Sequence, residues 1–232
     1  MSFRKEKKYR VSHSEMYKIQ KSLLINGMMQ LHSSRIINSC YFDTNTFTLF
    51  HESEEGTLPR KKVRVRWYDN ILNISKEVKI SSIEGRYKTT EKIGKFNTEN
   101  DIFQLKYFDS RYGYLIPAIL VRYERVYFKI GLMRITFDRN ISYQRLISKA
   151  LPVIKDKECV IEVKVPINTD DEYIEKFISL PTSRFSKTLA IISAENPTDS
   201  HPESITIKCP VFLTDLTIIE ESKGFNILKS IT

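Results

Sequence analysis

The sequence predicts an α+β protein: an antiparallel β-barrel with a few flanking helices. Three observations predict it. Strand-like runs rich in Val, Ile, Tyr and Phe recur along the chain. Helical patterns are few and never fall in regular strand–helix–strand order. In segment after segment, Arg, Lys and Glu occupy every second position: Arg4-Lys5-Glu6-Lys7-Lys8, Lys62-Val63-Arg64-Val65-Arg66, Glu77-Val78-Lys79, Arg134-Ile135-Thr136-Phe137-Asp138 and Glu162-Val163-Lys164. Alternate residues of a strand share a face, so charges of mostly one sign line up together. One such strand reads most simply as the solvated outer face of a sandwich. Five with the same pattern favour a sheet closed with its charged faces inward, around a basic lumen holding a few acids.

The elements follow in order. Residues 3–11 read as a strand. Ser12 with Glu15 makes a capping box that opens a helix, with Met16, Ile19, Leu23 and Leu24 as its buried stripe and Asn26-Gly27 at its end. A strand over 36–43, a short helix or turn over 46–52, and long strands over 62–69 and 72–80 come next, the last two joined at Asp69-Asn70. Glu84-Gly85 breaks the pattern and 86–93 resumes it. Residues 97–115 are less regular, with a helical look from 101 to 107. Alternating runs cover 118–129, 132–139 and 158–166. Helices are expected over 170–179 and 186–194, a polar linker over 196–204, and a strand-forming segment over 205–221. The division is residues 1–196 as the barrel domain and 197–232 as a C-terminal extension packed on it.

Composition narrows the partners. A formal net charge of +9 favours anions: nucleic acid, acidic membrane or phosphate compounds. No apolar run approaches the roughly 20 residues that span a bilayer, and the charged N-terminus lacks a signal-peptide core. A cytoplasmic location is expected, with any membrane partner on a separate chain. Cys40, Cys159 and Cys209 are widely spaced and form no Cys-x-x-Cys pair, and His13, His32, His51 and His201 have no ligand spacing. Zinc clusters, disulfide frameworks and Ser/His or Cys/His nucleophiles therefore lack support. Tyr9, Tyr87, Tyr123 and Tyr127 could offer a stacking platform for single-stranded nucleic acid. No nucleic-acid-binding signature accompanies them, and no nucleic-acid partner is expected.

Arg64 and Arg66 give the sharpest local signal. With Lys62 they set three cations about 6–7 Å apart on one face, while Val63, Val65 and Trp67 form the packing face. Like charges this close are costly unless an anion neutralises them. Arg offers planar bidentate donors to phosphate, and Lys a compact charge. Glu6, Glu77 and Glu162 each precede a Lys by two residues. Each could be paired with its neighbours, or could hold Mg²⁺ or Mn²⁺ shared with a phosphate chain. Glu162 is the preferred ligand and Glu6 the second.

The ordered motifs resemble the VTC domain, the catalytic domain of the vacuolar transporter chaperone complex and its bacterial relatives. The resemblance rests on Arg4-x-Glu6-x-Lys8-Tyr9, Cys40-Tyr41-Phe42-Asp43-Thr44, Lys62-x-Arg64-x-Arg66-x-Tyr68, Glu77-x-Lys79, Arg122-Tyr123-x-Arg125, Arg134-x-Thr136-x-Asp138, Glu162-x-Lys164 and Arg184-Phe185-Ser186-Lys187. It implies a triphosphate tunnel fold and a polyphosphate polymerase that moves the γ-phosphoryl of ATP onto a growing chain with Mn²⁺ or Mg²⁺. It further implies that Lys8, Arg64, Arg66, Lys79, Arg125 and Arg134 hold the triphosphate and product, together with Lys62, Lys164, and Lys88 beside Arg86. Tyr123 would sit beside the phosphates, and Glu162 would hold the metal. Ser186 and Lys187 match the family pair near the terminal phosphate, and Arg184 stands where relatives often have Lys.

Two other readings stay open. A metal-dependent triphosphatase of the same fold differs only in using water as acceptor. Hydrolytic relatives tend to carry two glutamates before the Lys, and here the first position is Arg4. A non-catalytic polyphosphate-binding module would be expected to lose Glu162 or the Ser186-Lys187 pair, which this chain keeps.

Overall fold

The computed structural model describes residues 4–69, 71–147, 152–182 and 220–221. Its elements are β1 (Arg4–Val11), α1 (His13–Ile25), β2 (Met29–Asp43), α2 (Thr48–Glu55), β3 (Arg60–Tyr68), β4 (Ile71–Ser82), β5 (Gly85–Lys95), α3 (Glu99–Phe103), β6 (Tyr107–Asp109), β7 (Gly113–Ile130), β8 (Met133–Arg145), β9 (Ile154–Lys155), β10 (Cys159–Pro166), α4 (Asp171–Glu175) and β11 (Glu220–Glu221). The sheet order is β1-β10-β8-β7-β2-β3-β4-β5-β11, with β6 on β7 and β9 on β8. Every pairing is antiparallel except the two-residue β11 on β5.

The sheet is curled into a half-barrel. Lys79 on β4 lies within electrostatic reach of Glu6 and Lys8 on β1, and Lys62 on β3 within reach of Lys8. Strands five and six places apart in the order can meet this way only across a concave face. The charged set is therefore the inner one, and the apolar set faces outward under the helices. Over β1, β10 and β8, Tyr9, Val11, Ile135, Phe137, Ile161, Val163 and Val165 pack with Met16 and Leu23 of α1 and Ile174 of α4. Over β2 and β3, Cys40, Phe42, Val63, Val65 and Trp67 pack with Leu49 of α2 and Ile102 of α3. A third cluster, including Ile37, Ile119, Val121, Ile141, Tyr143 and Val160, fills part of the inner face against Phe47 and Phe50.

Local chemistry sets the element ends. Ser12 and Glu15 form the capping box reciprocally, and Asn26 and Gly27 close α1. Leu24, expected in the buried stripe, is half exposed; it falls just past the edge of the face that Met16 and Leu23 turn to the sheet. Asp43 begins α2: its carboxylate accepts from the Leu49 and Phe50 amides at 2.9 Å each, the orphan donors of a first helical turn. Lys5 and Lys7, on the outer face of β1, bind Asp171 and so tie α4 to the sheet.

Several strands run longer than the pattern predicted. β2 begins at Met29, where it pairs with the end of β7, and β7 begins at Gly113, where it pairs with β6. The helix expected over 170–179 is the five-residue α4, and the one over 101–107 is α3. The expected helix over 186–194 and linker over 196–204 lie outside the described residues. Of the segment 205–221, only β11 is described.

Candidate active site

The site is built by alternation. Ser39 and Tyr41 of β2 lie opposite Arg66 and Arg64 of β3, which lie opposite Ser75 and Glu77 of β4. Lys79 registers with Lys88 on β5. On the other wall, Lys8 registers with Glu162, and Glu162 with Thr136. Arg125 registers with Asp138.

Two ion-pair clusters result. In the first, Arg64 Nε donates to Glu77 Oε2 at 2.7 Å and Arg64 Nη1 to the Tyr41 hydroxyl at 2.9 Å. Lys88 Nζ reaches Glu77 Oε1 at 3.0 Å, and Arg66 Nη1 stands 4.0 Å from Oε2. Arg66 also donates to Ser39 Oγ at 3.0 Å and to the Tyr123 hydroxyl at 3.4 Å. In the second, Arg125 grips Asp138 with Nε and Nη2, the latter at 2.7 Å, and stands 3.6 Å from Glu162. Lys164 binds Glu162 at 2.9 Å and lies 3.8 Å from Glu6, which binds Lys8 at 2.9 Å. Glu6 and Glu162 thus pair with the Lys two residues on. Glu77 instead pairs across strands with Arg64 and Lys88.

Electrostatics follow from this crowding. Burial alone would raise the carboxyl of Glu77, but Arg64, Arg66 and Lys88 hold it down at about 2. Glu162 is held well below the carboxylate range by Arg125, Lys164 and Lys8, against its own burial. Burial lowers Lys62 and Lys79 to about 8, and Lys8 adds repulsion to both. Burial would raise the Tyr41 phenol, yet Arg64, Arg66 and Lys62 together bring it down to about 7. Lys8 is raised: Glu6 and Glu162 outweigh its desolvation.

Of the residues expected from sequence, the inner face gathers Lys8, Lys62, Arg64, Arg66, Lys79, Lys88, Arg125, Lys164, Tyr123, Glu6 and Glu162. Arg134 lies at the exposed rim, opposite Lys164. Arg184, Ser186 and Lys187 lie outside the described residues. Tyr9 is buried on the outer face and is unavailable for stacking. Tyr41 and Thr136 stand in the quoted motifs but received no role there, and Ser39 was not singled out. Ser39 and Tyr41 do show period-two polarity within β2, but without charge it resembles an ordinary strand.

The VTC-domain profile matches residues 3–190. The chain belongs to the VTC-domain family. That domain has the triphosphate tunnel metalloenzyme-like fold, so this is a triphosphate-tunnel protein. Proteins of this fold bind triphosphate substrates and generally use divalent metals. No curated protein matches the sequence. Among solved structures, the VTC-domain chain is similar to a conserved hypothetical protein from Pyrococcus furiosus (14% identity, 80% of this chain and 99% of that one, TM-score 0.49). It is also similar to the PH1012 protein of Pyrococcus horikoshii OT3 (14% identity, 78% and 94% covered, TM-score 0.48). A third is HpAC1 from Hippeastrum, described with a dominant triphosphatase activity (14% identity, 82% and 96% covered, TM-score 0.48). Among the described residues, no helix of the VTC-domain chain is long and apolar enough to cross a membrane.

Proposed function

We propose that this VTC-domain protein is a polyphosphate polymerase, which transfers the γ-phosphoryl of ATP onto a polyphosphate chain within the curled sheet. The observation that carries the reading is the charge imbalance of the inner face. Among the described residues around its two ion-pair clusters, eight cations (Lys8, Lys62, Arg64, Arg66, Lys79, Lys88, Arg125 and Lys164) stand against four carboxylates (Glu6, Glu77, Asp138 and Glu162). A triphosphate offers the missing negative charge.

In the proposed step, a terminal phosphate oxygen of the acceptor chain attacks the γ-phosphorus of ATP. The bond from that phosphorus to the β–γ bridging oxygen breaks, and ADP leaves. Such transfers need positioning and charge more than a protein nucleophile. Among the described residues, Cys40 and Cys159 are buried on the outer face, away from the cations. Arg64 and Arg66 would clamp phosphate oxygens from one wall, and Arg125 and Lys8 from the other. The Tyr123 hydroxyl, already at Arg66, would orient the same oxygens. Lys62 and Lys79 would extend the cationic path for the chain.

The residues fit a divalent ion. Thr136 Oγ1 is buried with no hydrogen-bond partner among the described residues, directly opposite Glu162. Glu162, with Glu6 and the Thr136 hydroxyl nearby, would hold Mn²⁺ or Mg²⁺. Among the described residues no group of three or more acidic, His or Cys ligands converges, which suits an ion completed by phosphate oxygens and water. Such an ion offsets charge on the phosphate oxygens when bound.

The test is incubation with ATP and Mn²⁺, followed by gel separation of polyphosphate by length. A ladder of long chains is expected, reduced about 10²–10³-fold in rate by Arg64→Ala or Arg125→Ala. Orthophosphate without chains would make the protein a triphosphatase. Polyphosphate binding without turnover would make it a binding module.

A further inference from the structure

Beyond the guanidinium layer, the inner face ends in an aromatic and cationic mouth. β3 stops there at Tyr68, while β2 and β7 run on. Ile37 registers opposite both Tyr68 and Tyr123, and Arg35 opposite Arg125, so all five side chains share the inner face. The Arg35 guanidinium lies over the Tyr68 ring at 5.9 Å. His32 meets Tyr127 edge to face at 5.7 Å. Tyr127 lies within electrostatic reach of Arg125, Tyr68, Tyr123 and Arg35. Tyr68 is 38% exposed and therefore reachable from solvent.

Cross-strand aromatic pairs alone would be ordinary sheet stabilisation. Two features go further. Arg35 stands directly opposite another Arg, an arrangement that destabilises a sheet. Arg125 has its carboxylates in Asp138 and Glu162, whereas Arg35 makes no ion pair among the described residues. The mouth thus combines an unneutralised guanidinium with an exposed ring, adjoining the phosphate clamp through Tyr123 and Arg125.

We propose that this mouth is a nucleotide-binding collar. The base of a nucleoside triphosphate stacks on Tyr68, beside Tyr127, while Arg35 takes the phosphates nearest the sugar. Every base has a π face, so the collar separates nucleotides from bare phosphate chains and is indifferent to which base it meets. The inference rests on the lumen being a phosphate site, and it assigns the end at which the nucleotide enters.

Calorimetry with magnesium complexes of ATP, GTP and tripolyphosphate tests it. Tyr68→Ala is expected to weaken ATP and GTP alike by about tenfold and to leave tripolyphosphate unchanged, which also certifies the fold. Tyr68→Phe should restore both nucleotides. Equal weakening of all three ligands, or of none, overturns the collar while the phosphate site stands. A wild-type protein that binds none of the three overturns the lumen reading, and the collar with it.

Discussion

Glu77 receives Arg64 on one carboxylate oxygen and Lys88 on the other, from the strands on either side of β4. One acid thereby serves cations from two strands of the same wall, and its low pKa, about 2, records how strongly they hold its charge. The pair is a device for storing cations. Without ligand, Glu77 offsets the charge of Arg64 and Lys88, and under the proposed function an incoming phosphate chain would compete for them.

Glu77→Gln should therefore separate stability from binding. Removing one partner of a buried ion pair costs about 3–5 kcal/mol when the survivors stay desolvated, and less here because the lumen admits water. The expected outcome is a lower melting temperature without ligand. Added tripolyphosphate should raise it by more in the variant than in the wild type. Equal ligand-induced shifts, read by differential scanning fluorimetry, would sink this account of Glu77.

Thr136 gives a second separation. Its hydroxyl is buried with no partner among the described residues, so Thr136→Val deletes an unsatisfied group at nearly constant volume. Such a change is neutral or stabilising by up to about 1 kcal/mol. If the hydroxyl lies beside the metal held by Glu162, Mn²⁺ affinity falls in the variant although the apo protein melts no lower. Unchanged Mn²⁺ affinity would remove Thr136 from the metal site.

Much of this arrangement was legible in the sequence, for physical reasons. A strand reports its two faces at every residue, so Lys62, Arg64 and Arg66 announced a shared face without knowledge of their neighbours. Ser12 and Glu15 likewise carry their helix start within four positions. Cross-strand partners are another matter. Nothing local says that Glu77 pairs with Arg64 and Lys88, because register depends on turns and bulges such as those between Arg66 and Tyr68 or Ile74 and Ser75. Neutral members of the site, Tyr41, Ser39 and Thr136, gain their role only from the cations that the curl brings to them. Arg35 was hidden for the same reason: the pattern for its strand began at residue 36, whereas β2 begins at Met29.

Tyr41 should ionise early. Arg64, Arg66 and Lys62 bring its phenol to about 7, well below the usual value near 10. Stability from this acid is complete above the unfolded value and is lost as pH falls from about 10 through about 7. Tyrosinate absorbance should emerge near neutrality and be missing in Tyr41→Phe. If the wild type and variant titrate alike below about pH 9, Tyr41 is not held by the cations.

Lys62 and Lys79 produce opposed trends in stability and binding. Both are lowered by burial to about 8 in the folded protein, against an unfolded value near 10.4. A depressed base penalises folding while both states are protonated. That penalty is complete below about pH 8 and is relieved as pH climbs toward the unfolded value. The free protein should therefore gain stability over this range. Phosphate binding requires the protonated amines, so affinity for tripolyphosphate should fall over the same range. Tyr41 steepens the loss from its lower end by adding negative charge beside Arg64. Replacing both lysines with Met should lower the affinity below pH 8 and flatten its remaining decline above it. Calorimetric affinities and melting temperatures, measured at matched pH, decide the matter. A wild-type affinity that stays level across the window would show that these two lysines do not hold the chain.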